Sequence, residues 1–112
     1  AECSLEKVKQ NYNKNTKLNK NLTCVKGQVE KTLKIKKNLP KKISILRIDT
    51  DWYESTKVEL EILFPLLSKN GFLIIDDYGY WSGAKKAVDN YFQKKSVSLF
   101  KIDFTSRFVI KK

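Results

Sequence analysis

The chain contains no histidine, and among its 112 residues it has only two cysteines, two prolines and four glycines. The missing histidine excludes His-ligated zinc sites and a histidine general base. Cys3 and Cys24 have no C-x-x-C spacing, so neither a thiolate metal site nor a disulfide framework is expected. A reducing cytoplasm is the compartment this usage suggests. The glycines Gly27, Gly71, Gly79 and Gly83 form no Gly-x-Gly phosphate or cofactor loop. No run is apolar enough to span a bilayer. The first residue is Ala1, and the following residues read as the middle of a helical unit, which suggests a portion of a larger domain.

Basic residues are plentiful, with a net charge of +11, but unevenly placed. Residues 1–42 carry +9 and residues 80–112 carry +6, whereas residues 43–79 carry −4. Twenty-one of the 23 basic residues are lysines scattered among Asn and Ile. Specific nucleic-acid readers favour arginine and interleaved aromatics, so a solvated basic surface is the preferred reading over a nucleic-acid patch. The acidic island in the middle is where chemistry is expected.

Hydrophobic periodicity gives an alternating order of elements. Leu5, Val8 and Tyr12 lie at helical spacing behind a Ser4 cap, and residues 13–21 read as a loop. Residues 22–26 read as a short strand ending at Gly27, and residues 28–35 as a short helix closed by Leu39-Pro40. Residues 43–48 are a buried parallel strand. A helix capped by Ser55 follows, with Leu60, Leu63, Phe64 and Leu67 on one face, kinked by Pro65 and stopped at Asn70-Gly71. Residues 72–75 form a second apolar strand. Ser82 caps a helix with Ala84, Ala87, Val88, Tyr91 and Phe92 on one face. Residues 97–104 and 108–110 form a closing hairpin around Thr105-Ser106. The alternation predicts an α/β fold with a largely parallel sheet and a terminal antiparallel hairpin.

The two parallel strands both run into carboxylates, Asp49 after the first and Asp76-Asp77 after the second. The crossover rule makes such strands neighbours or near neighbours, so their carboxyl ends share the edge where open α/β sheets bind ligands. Three carboxylates there need a counter-charge. All-oxygen ligation by Asp49, Asp76 and Asp77 without His or Cys suits Mg²⁺, or Mn²⁺ and Ca²⁺ as substitutes.

These residues resemble a known family. Residues 47–56 (RIDTDWYEST), 72–79 (FLIIDDYG) and 83–89 (GAKKAVD) look like the macrocin O-methyltransferase family, which methylates sugar hydroxyls on natural products. The likeness extends to Ser4–Asn11, to Gly27 with Thr32-Leu33, and to Ile102–Thr105, which is nearly the whole chain. It implies the carboxyl-terminal part of a Rossmann-like, class I methyltransferase, with S-adenosylmethionine as donor and Mg²⁺ on Asp49, Asp76 and Asp77. The family's first strands and glycine-rich cofactor loop would precede Ala1, so the contacts with the donor left to this chain are expected near Gly27 and Gln28. Thr50 stands where a glycine is usual, and Gln28-Val29 where an aromatic pair is common.

The expected reaction is in-line displacement, in which a small-molecule hydroxyl attacks the sulfonium methyl and Asp49, Asp51 or a group outside this chain takes the proton. Tyr53 and Tyr78, with Tyr80 and Trp81, are candidates for the acceptor wall. Two other readings compete. Asp49-Thr-Asp51 after an apolar strand also resembles the nucleophile motif of haloacid-dehalogenase-like phosphatases, and the charge admits a non-catalytic remnant or basic binding module. A sheet without its first strands would present an open edge and an apolar face, predicting a homo-oligomer or a sticky product.

Overall fold

The computed structural model describes residues 5–15, 22–93 and 95–112. The Ser4 cap and most of the expected loop lie outside the described residues. Helix α1 spans Leu5–Asn15 and α2 spans Val29–Thr32, followed by a 3₁₀ turn at Lys36–Asn38. Strand β1 is Ile43–Ile48, α3 is Tyr53–Leu63, and a 3₁₀ turn at Phe64–Leu66 leads into β2, Leu67–Ile75. Helix α4 is Ser82–Phe92, β3 is Phe100–Lys101, and β4 is Arg107–Ile110.

The four strands form one sheet in the order β1-β2-β4-β3. β1 and β2 are parallel, joined by α3, and β4 runs antiparallel to both β2 and β3. Leu46, Leu73 and Val109 form one cross-strand row, and with Ile48 and Ile75 they face α3 and α4. There they meet Leu60, Phe64, Val88 and Phe92 in a single core. Phe64 stands edge-on to Tyr91 and Phe92, at 5.8 and 5.2 Å between ring centres.

Several boundaries differ from expectation for identifiable reasons. Residues 22–26 form no strand, and the helix expected over 28–35 closes after one turn. Helix α3 begins earlier than Ser55, because Trp52 in extended conformation is its N-cap. The Ser55 hydroxyl instead donates back to the Trp52 carbonyl at 3.2 Å. Likewise Trp81, not Ser82, precedes the first turn of α4. Pro65 ends the α-helical ladder instead of kinking it, and Leu67 leaves the helix to open β2.

Asn70-Gly71 does not stop a helix; it lies inside β2. Asn70 is left-handed, with φ 67°, and the register skips there: Ile43 pairs with Leu67 but Ile45 already pairs with Phe72. Such an irregularity lets the strand recover its apolar phase after a turn residue. The Asn70 amide donates to the Lys111 carbonyl at 2.6 Å. The Lys111 ammonium binds the carbonyls of Phe64, Pro65 and Leu67 at 3.1, 3.2 and 2.7 Å, tying off the end of α3. β3 is shorter than the expected 97–104. The Asp103 carboxylate accepts from the amides of Thr105 and Ser106 at 3.0 and 2.8 Å, so the chain turns instead of extending. Those bonds hold the Asp103 carboxyl below its ordinary pKa.

Candidate active site

The site grows from the pairing of β1 with β2. Because the strands are parallel, the residues leaving them emerge together, and the Asp76 amide donates to the Ile48 carbonyl at 3.0 Å. The turn after β1 is fixed from within: buried Thr56 donates from its hydroxyl to the Thr50 carbonyl at 3.3 Å, and the two threonine hydroxyls lie 3.1 Å apart. The turn therefore holds Asp49 and Asp51 in place rather than leaving them on a free loop.

The three expected acids divide into two groups. Asp77 faces Asp49 and Asp51, and its pKa rises from 3.8 to about 7. Burial is the largest cause, followed by carboxyl-to-carboxyl contact with Asp49 and the charges of Asp49 and Asp51. Its Oδ2 is shut off from solvent with no hydrogen-bond donor reaching it. Asp76 points elsewhere. One of its oxygens accepts from the Ser106 hydroxyl at 3.0 Å and the other from the Arg47 guanidinium, which also pairs with Asp49 at 3.2 Å. Asp76 and Asp77 diverge as the chain leaves β2, and Asp49 meets both groups, touching Asp77 and sharing Arg47 with Asp76. Among the described residues no three acids or cysteines form a ready-made cation cage.

Tyr53 and Tyr78, singled out from the sequence, are anchored to α4. The Tyr78 hydroxyl donates to Asp89 at 2.7 Å, Asp89 pairs with Lys85 at 2.9 Å, and Arg107 lies 4.9 Å from the Tyr78 ring centre. The Tyr53 hydroxyl accepts from the Asn90 amide at 3.3 Å, under Lys86. The residues left free to meet a ligand are Trp52, Tyr80 and Trp81, which are 74, 65 and 41% exposed. Gly83 brings their segments together: a methyl group there would stand 2.9 Å from the Tyr53 amide nitrogen. At Gly79 a methyl would stand 1.9 Å from the Phe104 carbonyl oxygen, so glycine is required where the loop after β2 crosses the β3–β4 turn. Gly27, at φ 136°, and Gln28 precede α2, which packs against α3.

Sequence reasoning missed two residues. Arg47 lies two positions before Asp49, so strand alternation puts it on the same side, and it is one of only two arginines. Glu59 is 5% exposed, and its Oε1 has no partner; its pKa is pushed up to about 7. Burial dominates, with the charges of Glu30 and Asp49 adding and a hydrogen bond from Thr50 opposing.

Residues 1–111 match the macrocin-O-methyltransferase (TylF) family. The chain belongs to that family. It is 35% identical over 107 residues to the 8-demethyl-8-(2,3-dimethoxy-alpha-L-rhamnosyl)-tetracenomycin-C 4'-O-methyltransferase of Streptomyces olivaceus, covering 93% of this chain and 40% of that enzyme. It is 41% identical over 56 residues to the demethyldecarbamoylnovobiocin O-methyltransferase of Streptomyces niveus, covering 50% of this chain and 21% of the relative. The solved structure of the O-methyltransferase NovP superposes with a TM-score of 0.89 at 31% identity, covering 97% of this chain and 45% of NovP. The chain therefore spans less than half the length of these relatives, and the span is their carboxyl-terminal portion. The fold is the corresponding part of a Rossmann-like methyltransferase, and its solved neighbours give the phosphatase reading no support. No helix among the described residues is long and apolar enough to cross a membrane.

Proposed function

We propose that this chain is the acceptor-side portion of an S-adenosylmethionine-dependent O-methyltransferase acting on a hydroxyl of a sugar or sugar-bearing natural product in the cytoplasm. One observation carries the reading: in a chain matching the family over residues 1–111, Asp49 and Asp77 are apposed at the carboxyl edge of β1 and β2.

The residues suit a hard divalent cation such as Mg²⁺. Asp77 has a buried carboxylate oxygen without a donor, and its two acidic neighbours disfavour its ionisation until a positive charge arrives. Asp49 and Asp77, already apposed, would hold the ion, and Asp76 would join them on giving up Ser106 and Arg47; the ion would supply Lewis-acid polarisation of an acceptor oxygen. Arg47 provides the counter-charge to Asp49 and Asp76, a role that a bound cation would take over. S-adenosylmethionine supplies an electrophilic methyl group, and the chain's own acids receive the proton that the acceptor hydroxyl gives up. Asp49, half exposed beside Asp77, is the residue assigned to that proton. Trp52, Tyr80 and Trp81 present apolar faces on which the acceptor rests, while Tyr53 and Tyr78 fix the two loops that carry them.

Titrating Mg²⁺ into the chain at pH 6 in buffers of different ionisation enthalpy tests the assignment. Binding is expected to release close to one proton, because the Asp77 pKa of about 7 leaves it protonated at that pH. Release should fade by pH 8. Asp77→Asn should weaken binding by about tenfold or more and abolish the pH-dependent release. Mg²⁺ binding of unchanged strength and proton stoichiometry in Asp77→Asn would remove Asp77 from the site.

A further inference from the structure

The two arginines of the chain are held in different ways. Arg107 donates to the carbonyls of Asp103, Phe104 and Ser106 and lies against the Tyr78 ring, so the backbone of the β3–β4 turn fixes it. Arg47 is held by carboxylates instead. Leu46 and Ile48 point into the core, so Arg47 between them lies on the open face of the sheet, away from α3 and α4. Its register partner is Ile74, which places it two residues before Asp49 on β1 and beside the residue two before Asp76 on β2. One guanidinium nitrogen reaches Oδ2 of both acids, and the side chain is 58% exposed. Among the described residues it makes no other polar bond.

Those two oxygens are ones that a divalent cation would also need. Asp76 can join Asp49 and Asp77 only by giving up Arg47, and a guanidinium left in place would repel a second positive charge at close range. We propose that Arg47 is a built-in competitor for the metal site: its guanidinium bridges Asp49 and Asp76 and must withdraw before both can take a cation. The side chain is free to do so, because it is exposed and held by surface ion pairs, so it moves into water and leaves no cavity. The Ser106 hydroxyl, which also holds Asp76, is different in kind. It is neutral, belongs to a residue only 7% exposed, and donates as well to the Asp76 carbonyl, so it orients the acid without opposing an ion. Arg47 therefore lowers the affinity of the site below what its acids alone would give. This inference rests on the metal assignment proposed for Asp49 and Asp77.

Mg²⁺ titrated calorimetrically into the wild-type chain, Arg47→Met and Arg47→Lys at pH 8, where little proton release is expected, reads the competition. Methionine keeps aliphatic length without the charge and should bind Mg²⁺ about tenfold more tightly than the wild type. Lysine keeps the charge without the planar fork and should fall between the two. The second reading is made on the wild type itself. With two arginines in the chain, the Arg47 Nε–H resonance is identified by its absence from Arg47→Met. Saturating Mg²⁺ should shift it while the Arg107 resonance stays. Binding by Arg47→Met alone would also support the proposal, the competitor then being strong enough to mask the site. Equal or weaker binding by Arg47→Met, beside wild-type binding that Asp77→Asn weakens, would overturn it and leave the metal site standing. An Arg47 resonance unmoved at saturation would overturn it as well. Failure of both proteins to bind would remove the metal assignment and this proposal with it.

Discussion

Between pH 4 and pH 8 the stability advantage of Glu59→Gln over the wild type is expected to grow by about 3 kcal/mol. The Glu59 carboxyl is enclosed, with a pKa near 7 against an ordinary 4.5, so the folded chain prefers its protonated form. Below pH 4 both the folded and unfolded chains hold the proton, and the group costs nothing. As pH rises through the unfolded value the unfolded chain gives up its proton first, and stability falls until the folded pKa is passed near 7. Glutamine cannot titrate, so a constant cost of burying its amide cancels when the two pH values are compared. The advantage corresponds to roughly 10 °C in melting midpoint for a domain of this size. Calorimetric scans of both proteins across this range would read it, and parallel midpoints at every pH would show that Glu59 is solvated.

Leu73→Ala is expected to cost about 2–5 kcal/mol, a large share of what a domain of this length possesses. Leu73 is 0% exposed, flanked by Leu46 and Val109 in its sheet row, with Ile48, Ile75 and Val88 in the same core. No side chain can fill its place without leaving its own position. Phe72→Ala, one residue earlier, removes a larger side chain but from the open face, and should cost no more than about 1 kcal/mol in the isolated chain. Urea unfolding of the two variants compares the faces directly. Equal losses would mean that Phe72 is buried in solution.

What could be read from the sequence was what depends on local pattern. The apolar runs of β1 and β2 and the acids that end them were legible because a buried parallel strand needs continuous hydrophobicity. Their adjacency followed from the short helical crossover. Asn70-Gly71 was misread because the same pair serves as a helix stop or as a left-handed bulge, and the choice depends on the distant Lys111 carbonyl. The hairpin strand was overextended because the Asp103 side chain competes with the ladder for the amides of Thr105 and Ser106. At the site, the meeting of Asp49 with Asp77 was legible. The diversion of Asp76 to Arg47 and Ser106 depends on β4 returning beside β2, which no local pattern announces. Glu59 reads as an ordinary surface acid on a helix until α2, α3 and the turn at Thr50 close around it.

The strand order has a further consequence, for biosynthesis. β4 lies between β2 and β3, so the last strand of the sequence is an interior strand of the sheet. While the ribosome is still adding the residues between Ile75 and Arg107, the side of β2 that will receive β4 has no partner. At roughly 5–20 residues per second that interval lasts a few seconds. Leu73 and Ile75 cannot be sealed against Val109 until β4 has cleared the exit tunnel, so this core stays incomplete for as long as the intervening residues are being made. A nascent chain in this condition is a natural client for chaperones that shield unpaired strands, and slowed elongation through residues 76–106 prolongs the exposure rather than assisting the fold.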